Sequence, residues 1–157
     1  MPESSRVDIL LVEDDPQDAE LVILALAKRP PATGVHRVGD GEAALHYLMA
    51  HRPPDNSPAW PRLLLLDLKT PRLDGFEVLR QIRAAPHGSA LAVVIWTSSA
   101  EERDILKAYR LGANSYVQKP AEFGLFCSTI AELASYWLEI NRDPQYLLTS
   151  GSTGITK

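Results

Sequence analysis

Two apolar runs in this chain end in carboxylates: "LLLLDLKTPRLDG", residues 63–75, ends its run in Asp67, and "VDILLVEDD", residues 7–15, runs into Glu13, Asp14 and Asp15. Two more end in other reactive groups, "LAVVIW" in Thr97 and "NSYVQ" in Lys119 followed by Pro120. Carboxylates brought together repel one another and hold protons more tightly, unless they share a cation. Oxygen ligands, a single cysteine and histidines without ligand spacing favour a hard ion such as magnesium over zinc. Magnesium keeps its waters and takes phosphate oxygens readily, which points to phosphoryl chemistry. A carboxylate beside the metal can attack phosphorus while an ammonium and a hydroxyl stabilise the remaining phosphoryl oxygens. Asp67, Lys119 and Thr97 match those three roles.

For these groups to meet, their strands must end side by side. After "VDILLV" the pattern changes to Ala19, Val22, Ile23 and Leu26, which is helical spacing. The same alternation recurs in "GVHRVG" with a helix capped by Asp40, in "RLLLLD" with Val78, Leu79 and Ile82, and in "LAVVIW" with Ile105, Ala108 and Tyr109. "NSYVQ" supplies a fifth strand, and Phe126, Ile130, Leu133, Ala134 and Trp137 trace one stripe of a last helix. Strands apolar on both faces and alternating with helices call for a parallel sheet covered on both sides. The expected fold is therefore α/β, a five-stranded doubly wound parallel sheet with five helices, in which ligands sit beyond the carboxyl ends of the strands.

The 157 residues fit one domain, expected over residues 1–141. The tail, 142–157, lacks periodicity and is expected to be partly disordered, although Tyr146, Leu147 and Leu148 offer apolar surface. "HRPPDNSPAWP", residues 51–61, has four prolines and reads as an extended surface loop. With 16 basic and 20 acidic residues, a net charge of −4 and no long block of one sign, nucleic acid is not an expected partner. The lone Cys127 excludes an intrachain disulfide, "MPESSR" is too polar for a signal peptide, and no apolar run approaches the roughly 20 residues that span a bilayer. A cytoplasmic location without membrane insertion is expected.

The joint order of these motifs resembles the response-regulator receiver domains of two-component signalling, over roughly residues 6–140. The likeness rests on Glu13 with Asp14, Asp67 followed by Pro71 and Gly75, Thr97, Lys119 with Pro120, and Tyr116 three residues before Lys119. The resemblance implies the flavodoxin-like receiver fold, with strand order 2-1-3-4-5. It also implies a phosphoacceptor switch in which Asp67 takes a phosphoryl group from a sensor histidine kinase. Magnesium would be bound by Asp14, Asp67 and the main-chain carbonyl of Lys69, with Glu13 acting mostly through a metal-bound water. Lys119 would pair with the phosphoryl group, and Thr97 would move towards it and let Tyr116 turn inward. The Lys119–Pro120 bond is expected to be cis. The Pro-rich insertion, "YRLGANSYVQKP" and "YWLEINRDP" look like single-domain regulators paired with phytochrome-type kinases, which signal by protein contact without a DNA-binding output domain. Such a protein catalyses at most its own phosphorylation and dephosphorylation.

Ordinary structural roles compete for several residues. Asp15 and Asp74 read as helix N-caps, and Cys127 as a small hydrophobe in the last helix. Tyr136, Trp137 and Leu138 cannot all face the sheet; one marks a homodimer or kinase contact through the last helices, or the tail folds over it. An aspartate-nucleophile phosphatase is disfavoured by Lys69, where those enzymes commonly place a second aspartate, and a flavin carrier by "VEDDP" in place of a hydroxyl-rich loop. A phosphorylation-independent interaction module is the remaining alternative.

Overall fold

The computed structural model describes residues 6–52 and 58–144. Five strands, β1 (Ile9–Val12), β2 (Val35–Val38), β3 (Leu63–Leu66), β4 (Ala92–Thr97) and β5 (Ser115–Gln118), alternate with five helices: α1 (Pro16–Ala27), α2 (Gly41–Ala50), α3 (Gly75–Ala84), α4 (Glu102–Arg110) and α5 (Phe123–Ser135). All strand pairs are parallel, and the order is β2-β1-β3-β4-β5. This is the doubly wound flavodoxin-like order expected from the sequence.

Every residue of β1, β3 and β4 is buried, whereas β2 and β5 at the sheet edges are partly exposed. Because side chains alternate along a strand, "LLLL" feeds both layers. Leu64 and Leu66 join Leu10, Val12, Val93 and Ile95 against α2, α3 and α4. Leu63 and Leu65 join Ile9, Leu11, Val94 and Trp96 against α1 and α5. Two apolar layers thus hold the strand ends in fixed register.

The helix starts follow from local capping. Asp15, Asp40 and Asp74 each accept a backbone N–H of the turn they precede, at 2.9 Å from Gln17, 2.7 Å from Ala43 and 2.9 Å from Glu77. Gly75 opens α3 where a Cβ would stand 2.4 Å from the Asp67 carbonyl, so only glycine lets this helix start so close to β3.

Several expectations need correction. Trp60 lies in the Pro-rich stretch but is buried against the α2–α3 side of the core, because an aromatic side chain gains more from packing than the local chain loses by ordering. Residues 53–57 of that stretch, and 145–157 of the tail with Tyr146, Leu147 and Leu148, lie outside the described residues. Ile23 and Tyr109, placed on buried stripes by their spacing, are exposed; Ala25 joins the inward face of α1, while Ala108, expected on the α4 stripe, is buried there. After Ser135 the last helix widens into a π-helical turn, Tyr136–Ile140. Trp137 and Leu138 pack on the α1–α5 layer while Tyr136 and Ile140 stay exposed. Cys127 packs on that layer too. Among the described residues the cis peptide bond is Pro30–Pro31, and Lys119–Pro120 is not cis. The Lys119 N–H donates to the Thr97 carbonyl at 2.7 Å, which sets the residue at the end of the β4–β5 ladder and aims its side chain without a cis bond.

Candidate phosphoryl and metal site

β1, β3, β4 and β5 deliver Glu13, Asp14, Asp67, Thr97 and Lys119 to one end of the sheet, as their places after the apolar runs require. Carboxylate oxygens of Glu13, Asp14 and Asp67 lie within 4.8 Å of one another. Glu13 and Asp67 are buried, and Asp14 is exposed at the mouth. The ammonium of Lys119 donates to Glu13 Oε1 at 2.7 Å, Asp67 Oδ2 at 2.8 Å and Asp18 Oδ2 at 2.8 Å. The other Asp67 oxygen, Oδ1, accepts the Lys69 N–H at 3.2 Å, and Glu13 Oε2 accepts the Asp15 N–H at 3.2 Å.

Electrostatics reflect this crowding. Burial pushes the Glu13 carboxyl up to about 7; the Lys119 hydrogen bond and charge oppose the shift, and the nearby Asp67 charge adds to it. Burial on its own would lower the Lys119 ammonium. The hydrogen bonds to Asp18, Asp67 and Glu13 outweigh it and hold the group above the ordinary lysine range. One ammonium therefore does not fully compensate the buried acids. Oxygen-only donors this close, with negative charge still uncompensated, fit a divalent cation.

Thr97 is fully buried, and its Oγ1 accepts the Ser99 N–H at 3.4 Å. The Tyr116 hydroxyl donates to the Ser99 carbonyl at 3.0 Å. Ser99 Oγ in turn donates to Asp104 Oδ2 at 2.6 Å, fastening the β4–α4 loop to the start of α4. A pull on Thr97 would thus reach Tyr116 through this loop.

Two contributors escaped the sequence reading. Asp18 sits in the first turn of α1, where an acid has an ordinary reason to be, and only its contact with Lys119 distinguishes it. Arg37, on edge strand β2, donates to the Glu13 carbonyl at 2.9 Å and the Asp14 carbonyl at 3.2 Å, clamping the acidic loop from outside. Backbone acceptors leave no trace in sequence spacing.

Comparison with known proteins agrees with this geometry. Over 136 residues the chain is 40% identical to the "Probable methanogenesis regulatory protein FilR2" of Methanothrix harundinacea, covering 87% of this chain and 86% of that protein. It is 36% identical over 131 residues to the "Response regulator Rcp1" of Synechocystis sp., covering 83% and 88%. The solved Mn(2+)-bound form of Rcp1 superposes with a TM-score of 0.78 over 88% of this chain and 99% of that one, at 35% identity. The phosphorylated cyanobacterial phytochrome response regulator RcpA superposes with a TM-score of 0.81, also over 88% and 99%, at 34% identity. Receiver domains bind divalent metal, the Rcp1 structure is of a Mn(2+)-bound form, and Glu13, Asp14 and Asp67 here form an acidic cluster that could hold such an ion. With residues 9–131 matching the response regulator receiver domain, this chain belongs to that family of two-component phosphoacceptor switches, as a relative of the phytochrome response regulators.

Proposed function

We propose that Asp67 accepts a phosphoryl group from a sensor histidine kinase, and that the charged surface so created is passed on by protein contact. The observation that carries this reading is the convergence on one ammonium, Lys119, of the buried Asp67 carboxylate and its acidic neighbours. An Asp67 oxygen would form an O–P bond as the P–N bond of the kinase's phosphohistidine breaks, and the departing imidazole keeps the electron pair and takes up a proton from solvent. Lys119 would stabilise charge on the phosphoryl oxygens, and Thr97 would donate its hydroxyl to one of them. Tyr116, tethered through Ser99 to the same loop, would then turn inward.

Asp14, Asp67 and the Lys69 carbonyl would hold magnesium, with Glu13 acting through a water. When bound, the ion supplies positive charge against the developing phosphoryl charge. The resemblance to Rcp1 and RcpA supports a phytochrome-type kinase as the phosphodonor. The receiver unit is assigned to residues 1–141, with 142–157 as a tail. Exposed Tyr136 and Ile140 support homodimerisation through the last helices. No described helix is long and apolar enough to cross a membrane, in keeping with a cytoplasmic role.

Intact mass after incubation with magnesium and acetyl phosphate tests the reading. Wild type is expected to gain one phosphoryl group and Asp67→Asn none. No gain by wild type, with magnesium binding verified and a kinase also tried, would leave the phosphorylation-independent interaction module as the better description.

A further inference from the structure

The Lys119 ammonium has three N–H donors, and three carboxylates take them. With its side chain 8% exposed, Lys119 has little access to water, so an incoming phosphoryl oxygen can reach it only by displacing one of the three. Glu13 is not the replaceable partner: it is 1% exposed and its second oxygen is tied to the Asp15 N–H. Asp67 is the attacking group. Asp18 differs from both, being 30% exposed and mounted on the first turn of α1, where water and the positive end of the helix stabilise a carboxylate that lets go of the lysine.

We propose that Asp18 is a positioning residue that holds Lys119 against Asp67 in the unphosphorylated protein and is exchanged for a phosphoryl oxygen on phosphorylation. The inference rests on Asp67 being the acceptor. Both Asp18 Oδ2 and Asp67 Oδ2 stand 2.8 Å from the same nitrogen, so the two oxygens lie within about twice that distance of each other. A fixed negative charge so close to the reacting oxygen opposes the approach of an anionic phosphodonor. Asp18 therefore sets a threshold: it keeps the lysine in place while slowing uptake of phosphoryl groups from small anionic donors. If Asp18 only complemented the α1 dipole, it would influence helix stability and leave that uptake untouched.

The test compares the apparent second-order rate constant for phosphoryl uptake from acetyl phosphate, read by intact mass at saturating magnesium, in wild type, Asp18→Asn and Asp18→Glu, with Asp67→Asn as the blank. Asp18→Asn removes the charge at constant size and is expected to raise the constant roughly three- to tenfold. Asp18→Glu retains the charge and is expected to stay near wild type, a rescue that a purely structural role does not produce. An unchanged or lower constant in Asp18→Asn, with the variant folded by circular dichroism, overturns the exchange role while leaving the acceptor reading intact. A fast Asp18→Glu overturns the charge argument. Failure of wild type itself to gain mass overturns the acceptor reading and this inference together.

Discussion

Lys119 and Arg83 are both heavily bonded cations among the described residues, and they differ in what they bind. Arg83 donates to the carbonyls of Gly112 at 2.9 Å, Gly88 at 2.7 Å and Leu91 at 2.7 Å, and to Asn114 Oδ1 at 2.8 Å. These acceptors, and the Ser89 carbonyl at 3.5 Å, are all neutral, so burial dominates and draws the guanidinium below its ordinary range. Lys119 faces three carboxylates, which reverse the effect of burial. Backbone carbonyls cannot leave, and a cation held by them is a fastener between α3, the turn after it and the α4–β5 loop. Carboxylates can exchange partners with a metal or a phosphoryl group, and a cation held by them can serve a switch.

Replacing each cation by methionine would break the comparison if it were only verbal. Arg83→Met should lower unfolding free energy by about 2–4 kcal/mol, because several buried carbonyls lose charged donors together. Urea denaturation reads this loss, and phosphoryl uptake per folded molecule should stay near wild type. Lys119→Met should instead reduce uptake roughly a hundredfold. Equal loss of uptake in both variants would mean that the Arg83 fastener also positions the site.

The acids around Lys119 tie the stability of the fold to pH. Glu13 binds its proton more tightly in the folded chain than in the unfolded one, with a folded value of about 7 against 4.5. Over that interval the folded state carries more protons, so the contribution of Glu13 to stability falls as pH rises from about 4.5 and levels off above about 7. At about 1.4 kcal/mol per pH unit this amounts to at most about 3 kcal/mol. Without divalent metal, Glu13→Gln should accordingly be more stable than wild type by about 1–3 kcal/mol at pH 8 and nearly equal to it at pH 4.5. Denaturation at several pH values in chelator reads the difference, and added magnesium should shrink it by supplying the missing positive charge. A difference that grows towards low pH would show that Lys119 alone compensates the cluster.

The same contrast explains what the sequence discloses. Asp67, Thr97 and Lys119 are legible because each ends an apolar run, and a parallel sheet brings such ends together. Asp18 is not, because an acid in the first turn of a helix needs no partner to account for it. Arg83 and Arg37 are hidden for a different reason: their acceptors are largely main-chain oxygens, which every residue carries. Trp60 was masked by surrounding prolines whose restrictions are local, while its burial depends on α2 and α3 packing above it. Ile23 and Tyr109 show the limit of spacing on helices packed at the flank of a sheet, where one turn more or less of contact decides which apolar residue faces inward.

The smallest predicted effect joins the two kinds of bonding in one strand. β5 carries Tyr116 three residues before Lys119, and the Tyr116 hydroxyl holds a carbonyl, that of Ser99, as Arg83 holds its own. If phosphorylation turns Tyr116 inward, that hydrogen bond is made only before the switch and not after. Tyr116→Phe should then cost the unphosphorylated protein about 1 kcal/mol, and the ratio of switched to unswitched forms should rise by the same free energy, roughly fivefold. Urea denaturation reads the first quantity. The second can be read as tighter binding of beryllofluoride, a phosphoryl stand-in, since a ligand that selects the switched form gains whatever the resting form has lost. Equal destabilisation with unchanged beryllofluoride affinity would mean that the hydroxyl supports the loop in both forms, placing Tyr116 with Arg83 among the fasteners.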